Sequence, residues 1–124
     1  MFRCALIALA LCAPLVAAAQ VQRNFPYNAL RGGLAVGAPP EVLVNGKPAR
    51  LAPGARLRGP DNMIVLSGAL GAERFVVNYT LDTLGLVKDV WLLRKDEIGR
   101  MWPETPEEAA RWAFDPVAQT WTKP

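Results

Sequence analysis

Residues 75 to 94 read as a β-hairpin, and a chain that contains one this plainly must build a sheet. In Phe75-Val76-Val77-Asn78-Tyr79-Thr80-Leu81 every second residue is apolar or aromatic: Phe75, Val77, Tyr79 and Leu81. A period of two places all four on one face of a strand, and no helix reproduces it. Asp82-Thr83-Leu84-Gly85 follows, with Asp first and Gly last as a type I turn prefers, and Leu86 to Arg94 returns. The return alternates imperfectly. Val90 and Leu92 share a face with Lys88, while Trp91 and Leu93 share the other with Asp89. Either both faces are covered or a bulge shifts the register.

The chain on either side is punctuated in the same manner. Leu30 to Val36 is a strand candidate weakened by Gly32 and Gly33, for which turn duty is the better reading. Pro39-Pro40 breaks it. Val42-Leu43-Val44 runs into Asn45-Gly46, which accepts positive φ at both central positions of a two-residue hairpin, and Lys47 to Leu51 returns. Pro48 donates no ladder hydrogen bond and places that strand at an edge. Pro53-Gly54 turns again before a short strand, Ala55 to Arg58. Gly59-Pro60-Asp61-Asn62 is a further turn, and the uniformly apolar Met63 to Leu66 fits a buried strand. Near the end, Thr105 can cap a helix that begins at Pro106, with Glu108 positioned for a capping box and Asp115-Pro116 as the stop. The expected fold is mainly β: a small antiparallel barrel or sandwich of about six or seven strands with a short C-terminal helix near 106–113.

The N-terminus carries a different message. One basic residue, Arg3, precedes an apolar run from Ala5 to Ala19 that ends in Val16-Ala17-Ala18-Ala19. A short basic start, a stretch too short to span a bilayer and small residues at its end make residues 1–19 a signal peptide. Cys12 lies inside the run behind Leu11, the wrong setting for lipid attachment. The expected organisation is therefore a signal peptide at 1–19, an extended arm at 20–29 and a single β domain at 30–124. The expected location is periplasmic or secreted, with nothing integral to the membrane after cleavage.

Cleavage also bounds the chemistry. Both cysteines, Cys4 and Cys12, leave with the peptide, and the chain has no histidine. Ser-His-Asp triads, Cys-His dyads and His/Cys zinc sites are thereby excluded, and no glycine loop has phosphate-cradling spacing. No enzyme activity, cofactor or metal is expected. Carboxylates remain, with Asp96-Glu97 the best acid/base pair, the basis of an alternative reading as a small hydrolase of envelope polymers. Phe25-Pro26-Tyr27 in the arm suggests another alternative, a structural subunit whose arm docks on a neighbour. Asn78-Tyr79-Thr80 matches a glycosylation pattern inside a strand, as short patterns do by chance.

Charge is uneven. Residues 20–60 hold six basic groups against Glu41, whereas residues 61–124 hold seven basic against ten acidic. If the halves interleave in one sheet, these charges mix. Within the first half Lys47, Arg50, Arg56 and Arg58 fall on two neighbouring short strands and form the best binding candidate, because arginine forks suit phosphate and carboxylate. Trp91 and Trp112 are expected in the core, whereas Trp102, beside Pro103, and Trp121, near the end, are candidates for exposure and binding. The expected function is a non-enzymatic interaction module of the bacterial cell envelope that recognises a protein or an anionic envelope component. No nucleic-acid partner is expected, since no aromatic-interleaved RNA signature is present.

Overall fold

The computed structural model describes residues 22–124; the signal peptide expected at 1–19 and the first residues of the expected arm lie outside the described residues. The strands are β1 (Leu30–Val36), β2 (Glu41–Val44), β3 (Lys47–Arg58), β4 (Arg74–Leu81), β5 (Val87–Leu92), β6 (Ala113–Asp115) and β7 (Thr120–Thr122). Two short helices, α1 (Lys95–Ile98) and α2 (Pro106–Arg111), complete the described elements. The first five strands close a barrel in the order β1-β2-β3-β5-β4, while β6 and β7 form a separate hairpin. Around the barrel β4, β1, β2 and β3 lie side by side, the 4-1-2-3 order of a Greek key. The closing strand β5 runs antiparallel to β4 and parallel to β3. A five-stranded Greek-key barrel of this kind is the architecture of the OB fold, and fold alone assigns no ligand.

The hairpin signals act as expected. Asn45 and Gly46 have φ of 53° and 78°, and Val44 pairs with Lys47 across them. Asn45 does more than turn the chain. Its Oδ1 accepts from Gly33 N–H at 2.8 Å and its own N–H donates to Gly33 O at 2.8 Å, stitching the turn to β1. Gly32 and Gly33 are therefore not turn residues but strand interior. A Cβ on Gly32 would stand 3.0 Å from the Tyr79 ring, so the bare backbone admits that ring. Asp82 Oδ1 accepts from Leu84 and Leu86 N–H, each at 2.9 Å, and closes the β4–β5 turn.

The imperfect alternation of 86–94 has both of its candidate causes. Thr80 pairs with Asp89 but Leu81 pairs with Val87, so Lys88 is an extra residue that flips the register. Val87, Val90 and Leu92 then all point into the barrel, where they join Leu30, Leu34, Val36, Val42, Leu51, Leu57, Val77 and Tyr79. The opposite face of β5 is covered too. Trp91, with Leu93 just beyond the strand, packs in a second core with Phe25, Ala29, Trp102 and Trp121. No disulfide is available to the chain from Gln20 on, so packing of these two cores holds it together.

Several local expectations are corrected. Pro53-Gly54 does not separate two strands; β3 runs through it as an irregularity, with the four residues between Leu51 and Arg56 set against Lys88 alone on β5. The edge character expected from Pro48 holds only for the first four residues of β3, which pair with β2, before the β5 ladder begins at Leu51. Met63 to Leu66 is not a buried strand. It makes one bridge, Ile64 to Arg58, and Met63, Ile64 and Leu66 face solvent. The physical reason is closure: five strands complete the barrel, and no interior face remains for a sixth. The C-terminal helix is present at Pro106–Arg111, with Thr105 Oγ1 accepting from Glu108 N–H at 3.2 Å. The chain beyond it, expected only as a stop, forms the β6–β7 hairpin that delivers Phe114 and Trp121 to the second core.

Candidate functional site

The basic group expected at Lys47, Arg50, Arg56 and Arg58 lies on a single strand, β3, and is drawn out along it. Arg50 pairs across from Glu41 and lines a groove at one mouth of the barrel. Arg56 and Arg58 sit beyond the Pro53-Gly54 irregularity, opposite Asp89 and Trp91 of β5. At about 3.3 Å per residue, Arg50 and Arg56 stand up to ~20 Å apart along the strand. The four residues therefore form two separate sites instead of one patch. The first and second halves of the sequence do interleave, since β1 pairs with β4 and β3 with β5, so the charge asymmetry of the sequence is mixed in the barrel.

The barrel-mouth groove, about 740 Å³, occupies the β2–β3 face and the β1–β2 and β4–β5 loops, where barrels of this architecture often carry ligands. Its lining is small and apolar apart from Glu41 and Arg50, and none of the lining residues is aromatic. It offers no stacking platform for bases or sugars.

The second groove, about 880 Å³, is chemically richer. Its walls are the N-terminal arm (Gln22, Arg23, Asn24), the end of β3 (Arg58), the turn after it (Pro60, Asp61, Asn62) and the end of β5 (Trp91, Arg94). Arg23 is locked beneath it. Its guanidinium grips Glu97 through Nε to Oε2 at 2.9 Å and Nη2 to Oε1 at 2.5 Å. It also donates to Gly59 O at 2.9 Å and Leu92 O at 2.7 Å. Arg94 donates from Nε to Asp96 at 3.2 Å and from Nη1 to Pro60 O at 3.2 Å, and its N–H meets Glu97 Oε1 at 2.9 Å. Burial works against a charge on Glu97. The hydrogen bond from Arg23, the backbone N–H of Arg94 and the two guanidinium charges outweigh it, and hold the carboxyl below its ordinary range. Among the described residues the half-buried Arg58 guanidinium makes no side-chain hydrogen bond or ion pair.

No family model, curated protein or solved structure matches this chain. Function is therefore argued from the geometry.

Other candidates from the sequence are relocated. Trp102 and Trp121, expected as exposed, are 5% and 6% accessible. Trp102 meets Phe25, Phe114 and Trp121 edge-on at centroid distances of 5.6, 5.4 and 5.7 Å, and its Nε1–H donates to Ala29 O at 2.8 Å. The outer face of β5 needed an aromatic cover, and the C-terminal segment supplies it. Trp91 is buried as expected, while Trp112 is only half-buried at the edge of the same cluster. Phe25 of the arm is likewise spent inside the domain, against Trp91 and Trp102, and is not free to dock on a neighbour. Asn78 is fully buried with Oδ1 accepting from Arg31 Nε at 2.9 Å. Of the Asp96-Glu97 pair, Glu97 is committed to Arg23 and Arg94, and a carboxyl held ionised is a poor proton donor near neutrality. Among the described residues no group of three or more His, Cys, Asp and Glu side chains gathers as a metal site.

Sequence reasoning missed the residues that gather around Arg58. Arg94, Trp91, Asn62 and the arm residues Gln22 and Asn24 come to it only through the parallel β3–β5 seam and the docked arm. The turn signal at Gly59-Pro60-Asp61-Asn62 was the one local hint that the chain doubles back beside Arg58.

Proposed function

We propose that this chain is an exported, non-enzymatic binding module of the bacterial cell envelope, and that the Arg58 groove recognises an anionic envelope component. Arg58 carries the reading. It lines a groove together with Gln22, Asn24, Asn62, Asp61 and Trp91. A guanidinium with no side-chain partner among the described residues, beside Gln22, Asn24 and Asn62 and with the Asp61 Oδ1 already accepting from Met63 N–H, suits a phosphate or carboxylate oxygen pair. Arg94, already tied to Asp96 and Glu97, stiffens the far wall.

Titration with polyphosphate, followed by tryptophan fluorescence, tests this. Wild-type protein is expected to bind in low salt and to weaken as salt rises. Arg58→Glu should lose at least about tenfold in affinity, as a charge-assisted contact predicts. Arg50→Glu, in the other groove, should bind as wild type. Undiminished binding by Arg58→Glu would refute the site.

The export component of the proposal rests on the layout of residues 1–19. Mass spectrometry of the protein recovered from outside the cytoplasm should find Gln20 as the first residue, and an intact Met1 there would contradict it.

A further inference from the structure

We propose that the Met63–Leu66 segment docks the domain onto an anionic phospholipid surface. The inference deepens the reading of Arg58 as an anion-binding residue by naming lipid phosphate as the anion, and it rests on that reading for its charged half.

Met63, Ile64 and Leu66 are 67%, 58% and 77% exposed within four residues of chain. Single exposed apolar side chains are ordinary, whereas a contiguous set marks an interaction surface. The segment is not loose. Gly59 N–H donates to Met63 O at 2.8 Å, Met63 N–H donates to Asp61 Oδ1 at 3.1 Å, and Val65 N–H donates to Leu57 O at 2.8 Å. These bonds hold the apolar side chains outward on a firm base. Behind them lies a groove of about 410 Å³ shared by Pro39, Pro40, Ala52 and Ala55, and none of its lining residues is charged.

Charge at the rim selects a lipid surface over an apolar protein partner. Ile64 is bridged to Arg58, and Arg56 lies two residues back on the same outward face of β3. Apolar side chains flanked by arginines match an anionic headgroup layer above acyl chains. Of the nearby acids, Asp61 has its Oδ1 turned into the loop towards Met63 N–H, and Asp89, opposite Arg56, has its Oδ2 accepting from Thr80 Oγ1 at 3.2 Å.

The experiment uses the chain from Gln20, which contains both cores. It is sedimented with vesicles of phosphatidylcholine alone and of phosphatidylcholine with phosphatidylglycerol. Wild-type protein should sediment with the anionic vesicles, and much less with the neutral ones. The triple variant Met63→Ser, Ile64→Ser, Leu66→Ser should lose at least tenfold in partitioning and keep wild-type thermal stability, since its side chains leave no core. Arg56→Glu with Arg58→Glu should lose a similar factor. Absence of sedimentation by wild-type protein would overturn the proposal, as would undiminished sedimentation by the triple variant. A dimer in light scattering that the triple variant abolishes, without vesicle binding, would also overturn it by assigning the patch to a second copy. If polyphosphate binding falls in Arg58→Glu while the triple variant still binds vesicles, the anion groove stands and the docking loop falls. If the triple variant loses vesicles while Arg58→Glu keeps polyphosphate, the anion groove falls and the apolar docking alone stands.

Discussion

Replacing Glu97 with alanine is expected to cost about 3–5 kcal/mol of folding stability, because it leaves the Arg23 guanidinium buried without a counter-charge. Arg23 and Glu97 are among the most enclosed charged side chains described, at 4% and 5% side-chain accessibility. Their pairing spans 74 residues of sequence and holds the arm against the ends of β3 and β5. Urea denaturation of Glu97→Ala beside wild type measures the loss. The double variant Arg23→Met, Glu97→Leu should recover most of it, since an apolar pair avoids the desolvation that the ion pair must overcome. A loss below about 1 kcal/mol, typical of an exposed pair, would show that solvent reaches this contact.

The same pair sets an acid limit. The Glu97 carboxyl is held below its ordinary range in the folded chain, so the unfolded chain takes up the proton first as pH falls. Its contribution is fully present above the usual glutamate value of about 4.3 and disappears as pH drops through the folded value. Wild type should lose stability across that acid window more steeply than the Arg23→Met, Glu97→Leu variant.

Trp102→Ala is the second large effect. Trp102 is the hub of the outer core, touching Phe25 from the arm, Phe114 from β6 and Trp121 from β7. Removing a buried indole costs about 3–5 kcal/mol, and the Ala29 carbonyl loses its Nε1–H donor besides. Against a typical total of about 5–15 kcal/mol this is a severe loss, and at roughly 4–8 °C per kcal/mol the melting temperature should fall by more than about 12 °C. Trp112→Ala, only half-buried at the edge of the cluster, should cost clearly less. Equal losses for the two would mean that Trp102 holds no special place.

These two sites show where local sequence reading succeeds and stops. The β4–β5 hairpin and the Asn45-Gly46 turn were legible because side-chain period and turn chemistry are properties of a few adjacent residues. The Thr105-Pro106 helix start was legible for the same reason. Met63 to Leu66 was misread because an apolar run carries no statement of whether an interior place is free for it. Trp102 and Trp121 were misread because being next to a proline or near a terminus says nothing about what packs on top. Arg58 was grouped with Lys47 and Arg50 on two neighbouring short strands, whereas all of them lie on one strand, β3, whose length separates Arg58 from the other two.

Sequence alone, then, determined that this chain is mainly β, where its tight turns fall, that residues 22–124 hold together by packing because they contain no cysteine, and that histidine chemistry is closed to the chain. Each follows from composition or from interactions among neighbours in the chain. Tertiary structure alone decided that five strands close a barrel, that β5 is covered on both faces, that Arg23 pays its burial through Glu97, and that Arg58 lies beside an exposed apolar loop. Those outcomes depend on contacts between residues tens of positions apart. Their energies exist only once the register, the Lys88 bulge and the parallel β3–β5 seam have brought the groups together.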